Sequence, residues 1–390
     1  MTHNEKTEVK QMAIGENIKK LGFGLMRLPM KDGAIDIELI KEMVDEFEGH
    51  GFSYYDTSPV YGGGLSEATF KTAVSDRYPR DKFHIATKLP MWTINSPEEV
   101  EPKFEASLKA LGVDYVDFYL IHGLSTVVSD RFPNSYLDKA DRFGVWDFLK
   151  KIKADGRAKH IGFSYHSSAE DLDAILTAHP EVEFVQLQIN YVDWEDSVIQ
   201  SRACYEVARK HGVGVTVMEP CKGGTLVEVR SDVRAIMESA NPNASLASWA
   251  IRFAASNDGI ITVLSGMGNM EQMCDNVSYM DEFKPLDDGE REVLAKVVDK
   301  LADVDTIRCT GCRYCTDGCP MSIRIPDIFS MYNNEVIYEG KGDGRRRFAN
   351  HIKANTDPAE CIECGQCEAA CPQHLPIIES LKLAGGKLRV

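Results

Sequence analysis

Between Leu21 and about Val263 the chain repeats one pattern. A short apolar, β-branched or aromatic run is followed by a stretch in which apolar residues return every three or four positions. The short runs predict strands over Gly22–Met26, Phe52–Tyr55, Phe83–Thr87, Tyr115–Ile121, His160–Phe163, Phe184–Leu187, Gly214–Met218 and Ile260–Leu264. Several are apolar without alternation, as parallel strands covered on both faces require. Between them, Val100, Phe104, Leu108 and Leu111 mark one helical face, and Asp171–Ala178, Ser197–Lys210 and Leu246–Ala255 behave similarly. Ser96-Pro97-Glu98-Glu99 sets a capping residue, a proline and two carboxylates at a helix start.

Strands and helices alternating eight times over roughly 250 residues predict an α/β fold, a closed (β/α)8 TIM barrel. A doubly wound sheet is the rival, but there are too many βα units and no G-x-G-x-x-G after the first strand. Residues 9–20 read as a capping hairpin turning near Gly15-Glu16-Asn17, and Asp288–Leu301 as a helix leading out of the barrel.

Composition adds a second domain. The 390 residues carry a net charge of −16, which argues against nucleic-acid or anionic-membrane binding. The polar N-terminus lacks a signal-peptide core, and no apolar run reaches the 18 residues a bilayer span needs, so a cytoplasmic location is expected. Of 11 cysteines, only Cys204, Cys221 and Cys274 precede residue 300; the rest crowd between 309 and 371. The first 300 residues hold 33 basic and 48 acidic side chains, the last 90 hold 11 and 12. The expected organisation is an N-terminal segment over 1–20, a barrel over 21–285, a linker helix over 286–301 and a small, mainly α-helical domain over 302–390.

In that domain Cys309-x2-Cys312-x2-Cys315-x3-Cys319-Pro320 is followed by Cys361-x2-Cys364-x2-Cys367-x3-Cys371-Pro372. Bacterial two-cluster ferredoxins bind [4Fe–4S] centres with this spacing, three cysteines wrapping one cubane while the fourth reaches the other. One cluster is then expected on Cys309, Cys312, Cys315 and Cys371, the other on Cys361, Cys364, Cys367 and Cys319. Structural zinc also uses paired C-x2-C motifs, but it needs neither the third cysteine nor the C-P ending. Ile325–Tyr332 reads as a helix between the motifs. Arg345-Arg346-Arg347 is a solvated face, a docking point for an acidic electron partner such as a ferredoxin, or a patch facing the barrel's negative surface. Solvent-accessible clusters of this kind suggest an anaerobic host.

The first half of the barrel carries Tyr54-Tyr55-Asp56-Thr57-Ser58-Pro59-Val60-Tyr61-Gly62, then Ala86-Thr87-Lys88, then Leu120-Ile121-His122-Gly123. Over residues 10–285 the sequence resembles the aldo-keto reductases, and the tail resembles the ferredoxin-type extension of a bacterial subgroup. The resemblance implies a catalytic tetrad of Asp56, Tyr61, Lys88 and His122, all at or just beyond strand C-termini, where barrel active sites gather. Reducing a carbonyl needs a hydride on carbon and a proton on oxygen. Tyr61 is the expected general acid, its phenol made more acidic by Lys88, with Asp56 balancing the lysine and His122 orienting the carbonyl.

By the same resemblance, Ser164 and Gln186 meet a nicotinamide carboxamide, with Tyr165 in place of a common asparagine. Met218 takes the position of a stacking aromatic, and Glu219 that of its serine neighbour. Ser265-Gly266-Met267-Gly268-Asn269-Met270 leads into a helix carrying Gln272 and Asn276, whose start suits a phosphate. Gly266 and Gln272 stand where NADPH-specific members place a lysine and an arginine, so NADH is expected over NADPH; a flavin on these loops is a third option. The expectation is an iron–sulfur oxidoreductase that reduces an aldehyde or ketone, or oxidises the alcohol. The alternative is an electron-transfer protein or flavin-dependent reductase whose clusters serve a partner. The loop over 123–140 is expected to shape the substrate pocket.

Overall fold

The computed structural model describes residues 14–15, 17–125, 135–196, 199–302, 305–337 and 344–389. Eight parallel strands close a barrel: β1 (Leu21–Gly24), β2 (Tyr54–Asp56), β3 (His84–Pro90), β4 (Val116–Leu124), β5 (Ala158–Tyr165), β6 (Phe184–Gln188), β7 (Gly214–Met218) and β8 (Ile260–Ser265). Leu21 lies opposite Val263 where β8 returns to β1, closing the ring. Each strand overlaps its expected run. β3 and β4 extend further than expected because their ladder continues through Lys88 opposite Leu120 to Pro90 opposite His122.

Side chains alternate across each strand. Tyr54, Ala86, Phe118, Leu120 and Phe184 form an inner cluster, while their sequence neighbours pack outward against helices. Two residues on from Tyr54, Ala86 and Leu120 come Asp56, Lys88 and His122, so the period of two aims these polar groups at the same end of the barrel interior. Gly162 is required within this interior: a Cβ there would stand 2.1 Å from the Phe184 carbonyl oxygen. Ile14 and Ile18 pack onto the inner cluster, with Ile18 N–H donating to the Gly15 carbonyl at 3.0 Å. The rest of the expected hairpin, residues 9–13 and 16, lies outside the described residues.

The helices follow the 3.6-residue pattern. Val100–Leu111, Ala169–Ala178, Ser201–Lys210 and Leu246–Ala255 are all formed. Ser96 departs from expectation. It opens only a 3-10 turn, Pro97–Glu99: its carbonyl accepts from Glu99 N–H at 3.2 Å, but its hydroxyl caps no backbone N–H and bonds Glu98 instead. The helix Asp288–Ala302 is no loose tether, because Leu294 and Val297 are buried in the barrel's outer core. Burying each such side chain contributes about 1.5–3 kcal/mol. Among the described residues no helix is long and apolar enough to cross a membrane.

Beyond it, helices Ile325–Ile337, Gly344–Ala354 and Ile377–Arg389 surround a separate core containing Ile328, Phe329, Phe348, Ile377 and Leu381. The cysteine duplication is also visible in the backbone. Gly311, Arg313 and Ser322 have φ of 68°, 68° and 55°, and their counterparts Glu363, Gly365 and His374 have 57°, 73° and 49°. The two loops thus repeat the same left-handed pattern at equivalent positions.

The tail is seated on the C-terminal face of the barrel. Lys222 donates to Asp193 at 2.6 Å in a buried pair, and also to Gln373 Oε1 at 3.3 Å. Arg27 donates to the Thr310 carbonyl at 2.8 Å, and Arg308 pairs with Asp196 at 2.7 Å. Gly223 makes the approach sterically possible: its φ is 66°, and a Cβ would sit 2.2 Å from the Thr310 carbonyl oxygen.

Candidate active site

One cavity of about 850 Å³ opens at the C-terminal ends of the strands, within the roughly 300–1,000 Å³ usual for ligand sites. Asp56, Tyr61, Lys88 and His122 all line it. Lys88 donates to Asp56 Oδ1 at 2.5 Å and to the Thr57 carbonyl at 2.8 Å, using two of its three N–H groups. Its ammonium also lies 4.7 Å from the centre of the Tyr61 ring. His122 stands edge-on to Tyr61, ring centres 5.6 Å apart, with Nδ1 held 3.2 Å from Ser58 Oγ. Tyr61 itself comes from the turn after β2, where Gly62 and Gly63 have positive φ.

The electrostatics amend one expectation. Burial raises the Tyr61 phenol well above 10, with Tyr314, Asp56 and Glu219 adding to the rise. The net shift is upward, opposite to the depression expected from Lys88, and burial is its largest cause. Burial lowers Lys88 below the ordinary lysine value against the pull of Asp56, and raises Asp56 against the pull of Lys88. Burial, with Lys88 nearby, drops His122 well below 6.5, so its ring is neutral near pH 7.

The candidate cofactor positions divide. Ser164, Gln186, Met218, Gly266, Gln272 and Asn276 all line the cavity. Ser164 Oγ accepts from Gly123 N–H at 2.8 Å, whereas Gln186 Oε1 is buried with no hydrogen-bond partner, as a waiting ligand group would be. Asn276 is already held, donating to Ser265 Oγ and accepting from the Tyr279 hydroxyl, both at 2.6 Å. Gln272 Oε1 accepts from Gly268 N–H at 2.7 Å, and Asn269 Oδ1 from Gln272 N–H at 2.9 Å. Two amides expected to meet a phosphate are therefore occupied internally. Tyr165 does not line the cavity; its hydroxyl donates to the Ser168 carbonyl at 2.8 Å. Part of the expected pocket loop, residues 126–134, lies outside the described residues.

The cysteines gather as two quartets, each around its own small cavity: Cys309, Cys312, Cys315 and Cys371 line one, and Cys319, Cys361, Cys364 and Cys367 the other. Among the described residues no three His, Cys, Asp or Glu side chains converge on a point where a single ion would sit. Arg345 pairs with Glu335 at 2.7 Å inside the tail rather than with the barrel.

Because the tail follows the last barrel helix, it is expected near the substrate mouth, but sequence reasoning assigns none of its residues to the cavity. Thr310, Cys312, Tyr314, Pro372 and Gln373 line the same cavity as Asp56, Tyr61, Lys88 and His122, as do Arg27 and His166. Nothing in the spacing of the cysteines announces that a tyrosine between them reaches a barrel histidine. Glu219 reaches the cavity from a left-handed backbone (φ 57°), one oxygen 3.9 Å from Arg27 and the other, Oε2, without a partner.

A profile of the Aldo/keto reductase family matches residues 20–299, and one of a 4Fe-4S dicluster domain matches residues 308–375. The chain belongs to the aldo/keto reductase family. This aldo/keto reductase is 28% identical over 269 residues to "Probable aldo-keto reductase 1" of Glycine max, covering 66% of this chain and 70% of that one. It is 24% identical over 318 residues to L-galactose dehydrogenase of Arabidopsis thaliana, covering 75% and 94%. The fold is that of aldo-keto reductase AKR11C1 from Bacillus halodurans (TM-score 0.58, 22% identity, 73% and 94% covered). It is likewise that of an aldo/keto reductase from Klebsiella pneumoniae in complex with NADP and acetate (TM-score 0.58, 17% identity, 74% and 95% covered). A further Klebsiella pneumoniae structure is a complex with NADPH, so the expected preference for NADH finds no support among these relatives. The protein is an oxidoreductase with an iron–sulfur, ferredoxin-type domain.

Proposed function

We propose that the protein interconverts a carbonyl and its alcohol at the C-terminal face of the barrel, with Tyr61 passing the proton, and that the two cysteine quartets each hold a [4Fe–4S] cluster. The observation that carries the first half is the buried Lys88–Asp56 pair beneath the Tyr61 ring, with His122 edge-on to that ring. Gln186 with its unpartnered oxygen and Ser164 with its hydroxyl suit the amide of a nicotinamide dinucleotide. When bound, that group supplies the hydride for the carbonyl carbon. Tyr61 gives its proton to the oxygen as negative charge grows there, and His122, neutral, orients that oxygen by a hydrogen bond. Lys88 steadies the phenolate left behind, which is where its charge matters most. In the reverse direction Tyr61 takes the proton back from the alcohol.

A second reading, electron exchange between the clusters and a redox group in the barrel, is favoured by one observation. Thr310, Cys312 and Gln373 line both the catalytic cavity and the first quartet's cavity. When bound, each cluster accepts or gives up single electrons. Coupling them to a two-electron carbonyl reaction calls for a flavin in the barrel, since nicotinamide divides a hydride poorly.

Anaerobic purification followed by an absorbance spectrum, iron and sulfide analysis, and parallel NADH and NADPH titrations tests both readings. Cluster iron with nicotinamide-dependent aldehyde reduction and no flavin supports the first. Bound flavin with partner-dependent turnover supports the second, and a colourless, iron-free protein refutes the cluster assignment.

A further inference from the structure

Tyr314 belongs to the iron–sulfur segment yet stands in the barrel's catalytic cavity. It directly precedes Cys315, and Arg313 before it adopts φ 68°, which turns the chain out of the cysteine loop. Its hydroxyl lies 3.4 Å from His122 Nε2. Its ring lies 5.9 Å from Trp92, whose own ring is 4.8 Å from His122. Since Ser58 holds Nδ1, Nε2 is the imidazole nitrogen that faces the cavity, and Tyr314 stands where the partner of Nε2 must stand. A substrate oxygen that reaches both Tyr61 and His122 enters this same corner. Without substrate the hydroxyl can accept from Nε2–H; once such an oxygen enters, Nε2–H and the Tyr314 O–H can both donate to it.

We propose that the Tyr314 hydroxyl is a substrate-binding group, a third hydrogen-bond donor to the carbonyl or alcohol oxygen after Tyr61 and His122, supplied by the first cysteine loop. This rests on the reading of the barrel site given above. The substrate is then held between the barrel and the tail. An oxygen settling in this corner touches a side chain fixed between Cys312 and Cys315, so binding alters the surroundings of whatever that quartet holds.

Acetate is the probe, because a carboxylate presents acceptor oxygens only. In anaerobically reconstituted full-length protein reduced with dithionite, acetate is titrated against the electron paramagnetic resonance spectrum for wild type, Tyr314→Phe, Tyr61→Phe and His122→Gln. Steady-state reduction of 4-nitrobenzaldehyde is measured alongside for wild type and Tyr314→Phe. The Phe variant keeps the ring beside Trp92, and iron content checks that the clusters remain. Expected is an acetate-dependent change in the wild-type spectrum. In Tyr314→Phe the half-saturating acetate concentration and the KM for the aldehyde rise together by about three- to tenfold, the worth of one hydrogen bond, with kcat little changed. Unchanged acetate binding and KM in Tyr314→Phe, with acetate weakened by His122→Gln, overturns the proposal and leaves the barrel reading intact. A wild-type spectrum silent to acetate overturns it as well. Acetate binding indifferent to all three substitutions overturns both.

Discussion

Gln188 and Gln373 clasp each other's amides across the junction of barrel and tail. Gln188 Nε2 donates to Gln373 Oε1 at 3.0 Å, and Gln373 Nε2 returns a bond to Gln188 Oε1 at 2.6 Å. Both side chains are buried, and Gln373 follows Cys371 by two residues. The clasp fixes the turn that brings the second motif's last cysteine to the first quartet. Gln373→Ala leaves the Gln188 amide buried and short of partners, at a cost of about 1–3 kcal/mol. The expected result is a lower melting temperature with the barrel's circular dichroism unchanged; an unaltered melting curve would contradict the clasp.

Gly223→Ala tests the same junction from the other side. The added methyl meets the Thr310 carbonyl and a φ that alanine resists. It is expected to loosen the tail and make the Thr310–Tyr314 segment more sensitive to proteolysis. A cleavage pattern identical to wild type would show that the backbone shifts without loss.

Tyr61→Phe is expected to lower aldehyde turnover by roughly 10²–10⁴ with no loss of stability. Lys88→Met should behave differently. It strands Asp56, which is 4% exposed and whose Oδ2 already lacks a partner, and so destabilises by about 3–5 kcal/mol as well as abolishing turnover. Paired kinetics and urea titrations separate a chemical role from a structural one. Near-normal turnover in Tyr61→Phe removes Tyr61 as the proton donor.

The crossed quartets expected from the motif spacing can be tested by substitution. Cys371→Ala should damage the same cluster as Cys309→Ala, and Cys319→Ala the same cluster as Cys364→Ala, because each pair lines one cavity. Each variant should retain roughly half the iron. Redox titration followed by electron paramagnetic resonance should assign Cys309 and Cys371 to one signal. If Cys319 groups with Cys309 instead, the crossing is wrong.

Acid should weaken the fold in a defined window. Burial, with His374 beside it, lowers His166 from 6.5 to about 4. Between those values the unfolded chain takes up a proton that the folded chain does not, so stability falls as pH drops from 6.5 toward 4 and levels off below. His166→Gln should flatten that part of the profile in chemical denaturation between pH 6.5 and 4. An unchanged slope would place the acid sensitivity elsewhere.

These relationships also change how the tail should be probed. Deleting residues 302–390 would uncover the Lys222–Asp193 pair and remove one wall of the catalytic cavity, so altered turnover would not isolate the clusters. Single cysteine substitutions leave that wall in place.

The sequence by itself determined the barrel and the tail, because each rests on local periodicity or fixed spacing, whereas the tetrad positions come from a family resemblance. Apolar runs and helical faces locate strands and helices. The period of two carries Asp56, Lys88 and His122 to one end, and the doubled cysteine motif declares its own ligand sets. Only the tertiary structure decided what lies beside what. That Tyr314 meets His122 and that Gln373 meets Gln188 both depend on how two independently patterned bodies dock. Docking is set by surface shape and buried hydrogen bonds between residues far apart in the chain, and no local period records it.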